Sequence, residues 1–143
     1  MDNMNKKLLI VDDEPEVLSM FAKFLTRKGY VVSAARDALE ALRACKREKP
    51  DLVLTDFNMP GMNGVDLLKE LHLTHPGMPA ILMSGEADMR TAADALREQA
   101  FDFLRKPIDS NELLSSIKLA LQHAKETAPT EAPPDAGRVI GPV

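Results

Sequence analysis

Five short apolar runs, each bounded by turn residues and separated by a longer stretch of helical periodicity, constrain this chain more than any other feature. The runs are Lys7–Val11 (KLLIV), Tyr30–Ala34 (YVVSA), Asp51–Thr55 (DLVLT), Pro79–Met83 (PAILM) and Phe101–Leu104 (FDFL). Short runs that are apolar throughout suit strands covered on both faces, as in parallel sheets. Between the first two, Val17, Leu18, Phe21, Phe24 and Leu25 recur at helical spacing within Pro15–Lys28, and Gly29 supplies a stop. Further helices are expected at Ala38–Glu48, Gly64–His72, Ala87–Gln99 and Ser110–Lys125. The last carries Leu113, Leu114, Ile117, Ala120, Leu121 and Ala124 on one face, with Asp109 and Glu112 placed like a capping box at its start. Strand and helix alternating in this way predict an α/β domain: a doubly wound five-stranded parallel sheet with five helices and right-handed crossovers.

The length of 143 residues fits one such domain. From Thr127 the chain changes character, with four prolines in 17 residues and few large apolar side chains. Residues 1–126 are therefore expected to fold, and 127–143 to form a flexible tail or linker. Such a tail is too short for an output domain, so the chain either stands alone or is the N-terminal part of a longer protein; its Pro and Ala content favours the second. A net charge of −4 gives no clustered basic footprint for nucleic acid. No apolar run approaches the roughly 18 residues that span a bilayer, and MDNMNKK lacks the apolar segment of a signal peptide. The single cysteine, Cys45, has no internal disulfide partner, and the expected location is the cytoplasm.

In open α/β sheets, ligands bind beyond the carboxyl ends of the strands, so the residues that follow each run carry the functional signal. Asp12, Asp13 and Glu14 follow the first, Asp56 the third, Ser84 and Gly85 the fourth, and Arg105, Lys106 and Pro107 the fifth. Each has an ordinary explanation. Asp12 and Asp13 before Pro15 suit a helix start, Asp56 and the Ser84–Gly85 pair suit turns, and Lys106 suits a solvated surface. Converging on one sheet edge, they suit one chemistry better. Clustered carboxylates repel one another unless a cation neutralises them, and an all-oxygen site that also takes a phosphoryl oxygen suits Mg²⁺. A carboxylate so neutralised is able to attack phosphorus and form an aspartyl phosphate, with lysine and hydroxyl completing the set.

The segments LLIVDDEP, PDLVLTDFNMPGMNG, ILMSG and FDFLRKP, and the spacing from Ser84 to Lys106, closely resemble the receiver domains of two-component response regulators. The likeness covers about residues 6–125. It implies the flavodoxin-like receiver fold with strand order 2-1-3-4-5, and roles position by position. Asp56 is the phosphoacceptor. Mg²⁺ (or Mn²⁺) is held by Asp13, by Asp12 chiefly through water, by Asp56 and by the backbone carbonyl of Asn58. Ser84 and Lys106 contact the phosphoryl group, and Pro107 follows a cis peptide bond. Ser84 and Phe103 form the switch, while Asn58 and Glu86 tune the lifetime of the phosphorylated state. The implied donor is a sensor histidine kinase or a histidine phosphotransfer protein. The signalling surface is the fourth helix, fifth strand and fifth helix, read by a downstream protein or a C-terminal output domain. The domain would be a signalling phosphoacceptor rather than an enzyme, with neither nucleic-acid nor membrane binding of its own. The thin apolar face of Ala87–Gln99 fits an element of low local stability.

Two rivals share parts of this pattern. A flavin-binding module needs a hydroxyl- and glycine-rich loop where this chain has VDDEPE, and a haloacid-dehalogenase-like phosphatase needs Asp-x-Asp where Asp12 and Asp13 are adjacent. An interaction module that keeps the fold without phosphorylation is the third alternative. Cys45, on a helix face with Ala38, Ala41 and Leu42, reads as a packed small hydrophobe. His72, His75 and His123 lack ligand spacing, and Met59 and Met62 read as packing beside the turn Pro60–Gly61. Lys23, Arg27 and Lys28 form the basic end of the first helix, either a solvated face that favours the dipole or a kinase-docking patch.

Overall fold

A computed structural model of the protein describes residues 5–85 and 100–127, with side chains through residue 124. Among these residues lie five strands: β1 (Lys7–Val11), β2 (Val31–Ala35), β3 (Leu52–Asp56), β4 (Ala80–Ser84) and β5 (Asp102–Arg105). Four helices alternate with them: α1 (Pro15–Arg27), α2 (Ala38–Arg47), α3 (Gly64–Thr74) and α4 (Ser110–Thr127). All pairings are parallel and the order is β2-β1-β3-β4-β5, as the family resemblance implies. The expected helix at Ala87–Gln99 lies outside the described residues.

Alternation along the strands divides the interior into two layers. Leu9, Val11, Val53 and Leu82 point to the side covered by α2 and α3, where they meet Ala41, Cys45, Leu67, Leu68 and Leu71. Leu8, Ile10, Leu54, Ile81, Met83 and Leu104 point to the side covered by α1 and α4, against Leu18, Phe21, Leu25, Leu113 and Ile117. β1, β3 and β4 are therefore buried on both faces. The edge strand β2 is not: Val31, Ser33 and Ala34 are exposed, because one neighbour and two offset helices do not cover it. Cys45 is buried in the α2 layer as expected, and burial pushes its thiol pKa up, which keeps it in the unreactive protonated form.

Four strands begin and end one residue later than the apolar runs suggest. The parallel ladder continues for as long as a neighbouring backbone is in register, whatever the side chain: Asp56 pairs with Met83, and Ser84 with Arg105. At the other end of the sheet, Asp51 serves as a clasp between strands. Its N–H donates to the Lys7 carbonyl at 2.7 Å, and its carboxylate accepts from the Lys7 N–H, also at 2.7 Å. Asp56 and Ser84 thus close their strands, held by backbone pairing, where the sequence places them just beyond.

The helix starts show which local signals are used. Pro15 opens α1, and Gly29, at φ 100°, closes the turn after it. Asp37 caps α2 by accepting from the Glu40 N–H at 2.8 Å. A reciprocal capping box forms at α3, where Asn63 accepts from the Asp66 N–H at 2.9 Å and Asp66 accepts from the Asn63 N–H at 3.3 Å. At α4 the Asp109 carboxylate accepts from the Asn111 N–H at 3.3 Å rather than from the third residue, so the expected Asp109–Glu112 box is replaced by a simpler local contact.

The box at α3 delivers Gly64 onto the end of β3, with its N–H bonded to the Phe57 carbonyl at 2.9 Å. A Cβ on Gly64 would lie 2.6 Å from the Asp56 carbonyl oxygen and 2.6 Å from Leu82 Cδ1. Gly64→Ala is expected to cost about 2 kcal/mol or more, because backbone must give way. Gly85→Ala, whose Cβ meets nothing within 4 Å, is expected to stay within about 0.5 kcal/mol of the parent. Urea unfolding of both variants checks this, and equal midpoints would contradict it.

Candidate functional site

The carboxyl edge of the sheet gathers the groups that the sequence places after its strands. Asp12 and Asp13 leave β1, Asp56 ends β3, Ser84 ends β4, and Lys106 follows β5. Because β1 and β3 are neighbours in the sheet, the carboxylates meet: Asp12, Asp13 and Asp56 each offer an oxygen within 4.8 Å of the others. Asp12 and Asp56 are buried, while Asp13 is exposed and opens the cluster to solvent. Across the edge, Lys106 Nζ lies 2.9 Å from Asp56 Oδ1 and 3.5 Å from Asp12 Oδ2. The Lys106 N–H donates to the Ser84 carbonyl at 2.7 Å, so β4 and β5 position the lysine together. The Lys106–Pro107 peptide bond is cis.

Two buried side-chain polar atoms have no hydrogen-bond partner among the described residues, and both belong to residues at this edge. One is Asp12 Oδ2, which has only the 3.5 Å ion pair with Lys106; Asp12 Oδ1 is taken by the Glu14 N–H at 3.0 Å. The other is Ser84 Oγ. Buried polar atoms are nearly always satisfied, so a carboxylate oxygen held only by a long ion pair, beside two further carboxylates, is available as a ligand for a hard cation. The donor set therefore fits Mg²⁺ or Mn²⁺. Asn58 lies two residues past Asp56 in an exposed part of the following loop, and Glu86 lies outside the described residues. Phe103 is half-buried, pairs in register with Leu82, and packs on the α2 and α3 side.

Sequence reasoning missed two supports of the site. Thr55 is buried, and its hydroxyl donates to the Asp56 carbonyl at 3.0 Å. Gly64 lets a helix start pack against that same carbonyl, and the signal for it was present in the Asn63-x-x-Asp66 pattern.

Charge at the site is strained in one direction. Burial raises the Asp56 pKa above the ordinary carboxylate value, Lys106 opposes this through a hydrogen bond and its charge, and Asp12 and Asp13 add to the rise. For Lys106, burial pulls the pKa down, but the hydrogen bond and charge of Asp56, with help from Asp12, outweigh it and leave the value raised. Folding therefore strengthens proton binding at both groups. For Asp56, metal-free stability falls as pH rises from the ordinary carboxylate range through the raised value, and the penalty is complete above it. For Lys106, the gain is complete below the ordinary lysine value and is lost only in strong alkali. The raised Asp56 value already includes its attraction to Lys106. Asp56→Asn should thus stabilise the metal-free domain at neutral pH, with the gain shrinking as pH falls towards the ordinary carboxylate range. Urea unfolding in chelator across that range checks this, and a destabilised variant at neutral pH would contradict it.

Comparison with known proteins agrees with this geometry. The sequence matches the response regulator receiver domain family over residues 8–118. Transcriptional regulatory protein GlrR of Escherichia coli (strain K12) is 37% identical over 124 residues, which is 87% of this chain and 28% of GlrR. DNA-binding transcriptional regulator NtrC of Proteus hauseri is 36% identical over 117 residues, 82% of this chain and 25% of NtrC. The chain thus spans between 25% and 28% of the length of these relatives. Among solved structures, a response regulator receiver domain protein from Clostridium thermocellum superposes with a TM-score of 0.81 at 33% identity, covering 85% of this chain and 98% of that one. NtrX from Brucella abortus, solved in complex with ADP, superposes with a TM-score of 0.84 at 32% identity, covering 90% of this chain and 30% of NtrX. With fold, sheet edge and sequence in agreement, the chain belongs to the response regulator receiver domain family of two-component signalling.

Proposed function

We propose that this domain takes a phosphoryl group onto Asp56 from a phosphohistidine, on a sensor histidine kinase or a histidine phosphotransfer protein, and that the reaction depends on Mg²⁺ or Mn²⁺. The observation that carries this reading is the 2.9 Å contact of Lys106 with Asp56 inside an acidic trio whose oxygens lie within 4.8 Å. In the transfer, an Asp56 carboxylate oxygen attacks phosphorus, the P–N bond to the donor imidazole breaks, and the imidazole leaves with that electron pair. Lys106 holds the acceptor in place and then pairs with the new phosphoryl oxygens. The Ser84 hydroxyl, buried without a partner, has a free donor to turn towards them. Asp12, Asp13, Asp56 and the Asn58 carbonyl would hold the cation, which when bound neutralises charge on the carboxylates and the incoming phosphoryl group. The site positions and neutralises, and transfer between phosphate carriers needs little more.

Phosphorylation adds up to about two negative charges at the sheet edge. Ser84 moving inward, with Phe103 rotating into the vacated space, would pass that change to the surface formed by β5 and α4; the other part of the expected signalling surface, Ala87–Gln99, lies outside the described residues. The reader of that surface is a downstream protein or a C-terminal output domain, and the named transcriptional regulators, several times longer than the matched region, favour the second. On this reading residues 1–126 are the receiver, 127–143 are a tail or linker, and the domain is a cytoplasmic signalling phosphoacceptor that assists only its own phosphorylation and dephosphorylation. No helix among the described residues is long and apolar enough to cross a membrane.

Acetyl phosphate with Mg²⁺ should produce a phosphorylated species visible by intact mass, absent in Asp56→Asn and in excess chelator. A variant labelled to the same yield would remove Asp56 from the role. Exchanging the side chains at Asn58 and Glu86 should change the hydrolysis rate of that species, because both positions control water's access to the phosphoryl group. Unaltered dephosphorylation kinetics in the double variant would reject that assignment.

A further inference from the structure

On β5, side chains alternate between the two layers. The Phe103 ring packs on the α2 and α3 side, whereas Leu104 packs with Leu113 and Ile117 of α4 on the other. Among the described residues, the ring therefore packs away from α4. Asp102 bridges this gap, since it lies on the α4 side but adjoins Phe103 in the chain. One oxygen of its carboxylate, Oδ1, accepts from the Phe103 N–H at 2.7 Å, and the other, Oδ2, accepts from the Ser116 hydroxyl at 2.7 Å. Ser116 is 3% exposed and sits on the packed face of α4. Both bonds are short and charge-assisted, the kind that holds geometry well.

We propose that Asp102 is a positioning residue that couples the backbone of Phe103 to α4 through Ser116, so that a change at the phosphorylation site reaches the C-terminal helix by way of this carboxylate. The inference rests on reading Asp56 as the phosphoacceptor and Phe103 as the switch, and it adds the route by which the signal crosses the sheet. A shift of the Phe103 backbone moves the amide that Asp102 holds, and the carboxylate carries Ser116 with it. Without the serine hydroxyl, β5 and α4 keep their apolar contacts but lose this directional bond.

The test compares the parent chain with Ser116→Ala, which removes the hydroxyl, and Ser116→Thr, which restores one. Each is treated with acetyl phosphate and Mg²⁺, occupancy is matched by intact mass, and thermal midpoints verify that all three fold. Amide hydrogen exchange is then measured over residues 113–121. In the parent and in Ser116→Thr, phosphorylation should change exchange there by about fivefold or more, the lower end of ordinary coupling between sites. In Ser116→Ala the same occupancy should leave exchange nearly unaltered. A full response in Ser116→Ala, or none in the parent despite phosphorylation, overturns the coupling while leaving the phosphoacceptor reading intact. Absence of phosphorylation in all three overturns that reading, and the coupling with it.

Discussion

Lys106 and Asp56, 2.9 Å apart at the carboxyl edge of the sheet, hold together a group of charges that would otherwise repel. Three carboxylates converge there, two of them buried, and burial, with the charges of Asp12 and Asp13, drives the Asp56 pKa upward. One ammonium opposes this without cancelling it, so the folded chain carries an unbalanced excess of negative charge in a confined space. That imbalance makes the edge responsive to whatever adds or removes charge. On the proposed reading, a divalent cation would relieve it and a phosphoryl group would add to it. The same arrangement in a solvated loop would be screened and inert.

The rest of the fold holds these charges in position. Asp56 and Ser84 are the last paired residues of strands buried on both faces, so their backbone positions are fixed by ladder bonds and by the packing of Leu54, Leu82 and Met83. Gly64 lets the start of α3 close on the Asp56 carbonyl, and the Thr55 hydroxyl donates to that carbonyl. Rigidity at this edge carries a stability cost, since buried carboxylates without a cation oppose folding. On the proposed reading, the part that changes on signalling is drawn from the other end of the chain, where β5 and α4 are joined by the Asp102 carboxylate as well as by apolar contact.

Much of this was legible in the sequence because the signals are local. Unbroken apolar runs marked the strands, helical periodicity marked the helices, and the polar residues after each run marked the site; Asp12, Asp13, Asp56, Ser84 and Lys106 all lie on one edge. What escaped depends on pairing rather than composition. The ladder carries β3 through Asp56 and β4 through Ser84, although neither residue is apolar. The exposure of Val31, Ser33 and Ala34 follows from the edge position of β2, which nothing within YVVSA records. Strand order itself entered by family resemblance. The bond from Ser116 to Asp102 spans fourteen positions and joins two residues that look unremarkable in isolation.

The central claim is that the acidic trio acts as one cation site, and calorimetric titration with Mg²⁺ tests it most directly. The parent chain should bind one ion, and replacing either Asp12 or Asp13 with asparagine should weaken binding by about tenfold or more, since hard cations take charged oxygen ligands in preference to neutral ones. A parent chain that takes up no Mg²⁺, or variants that bind it as tightly as the parent, would contradict the account and leave only an α/β scaffold with a clustered edge.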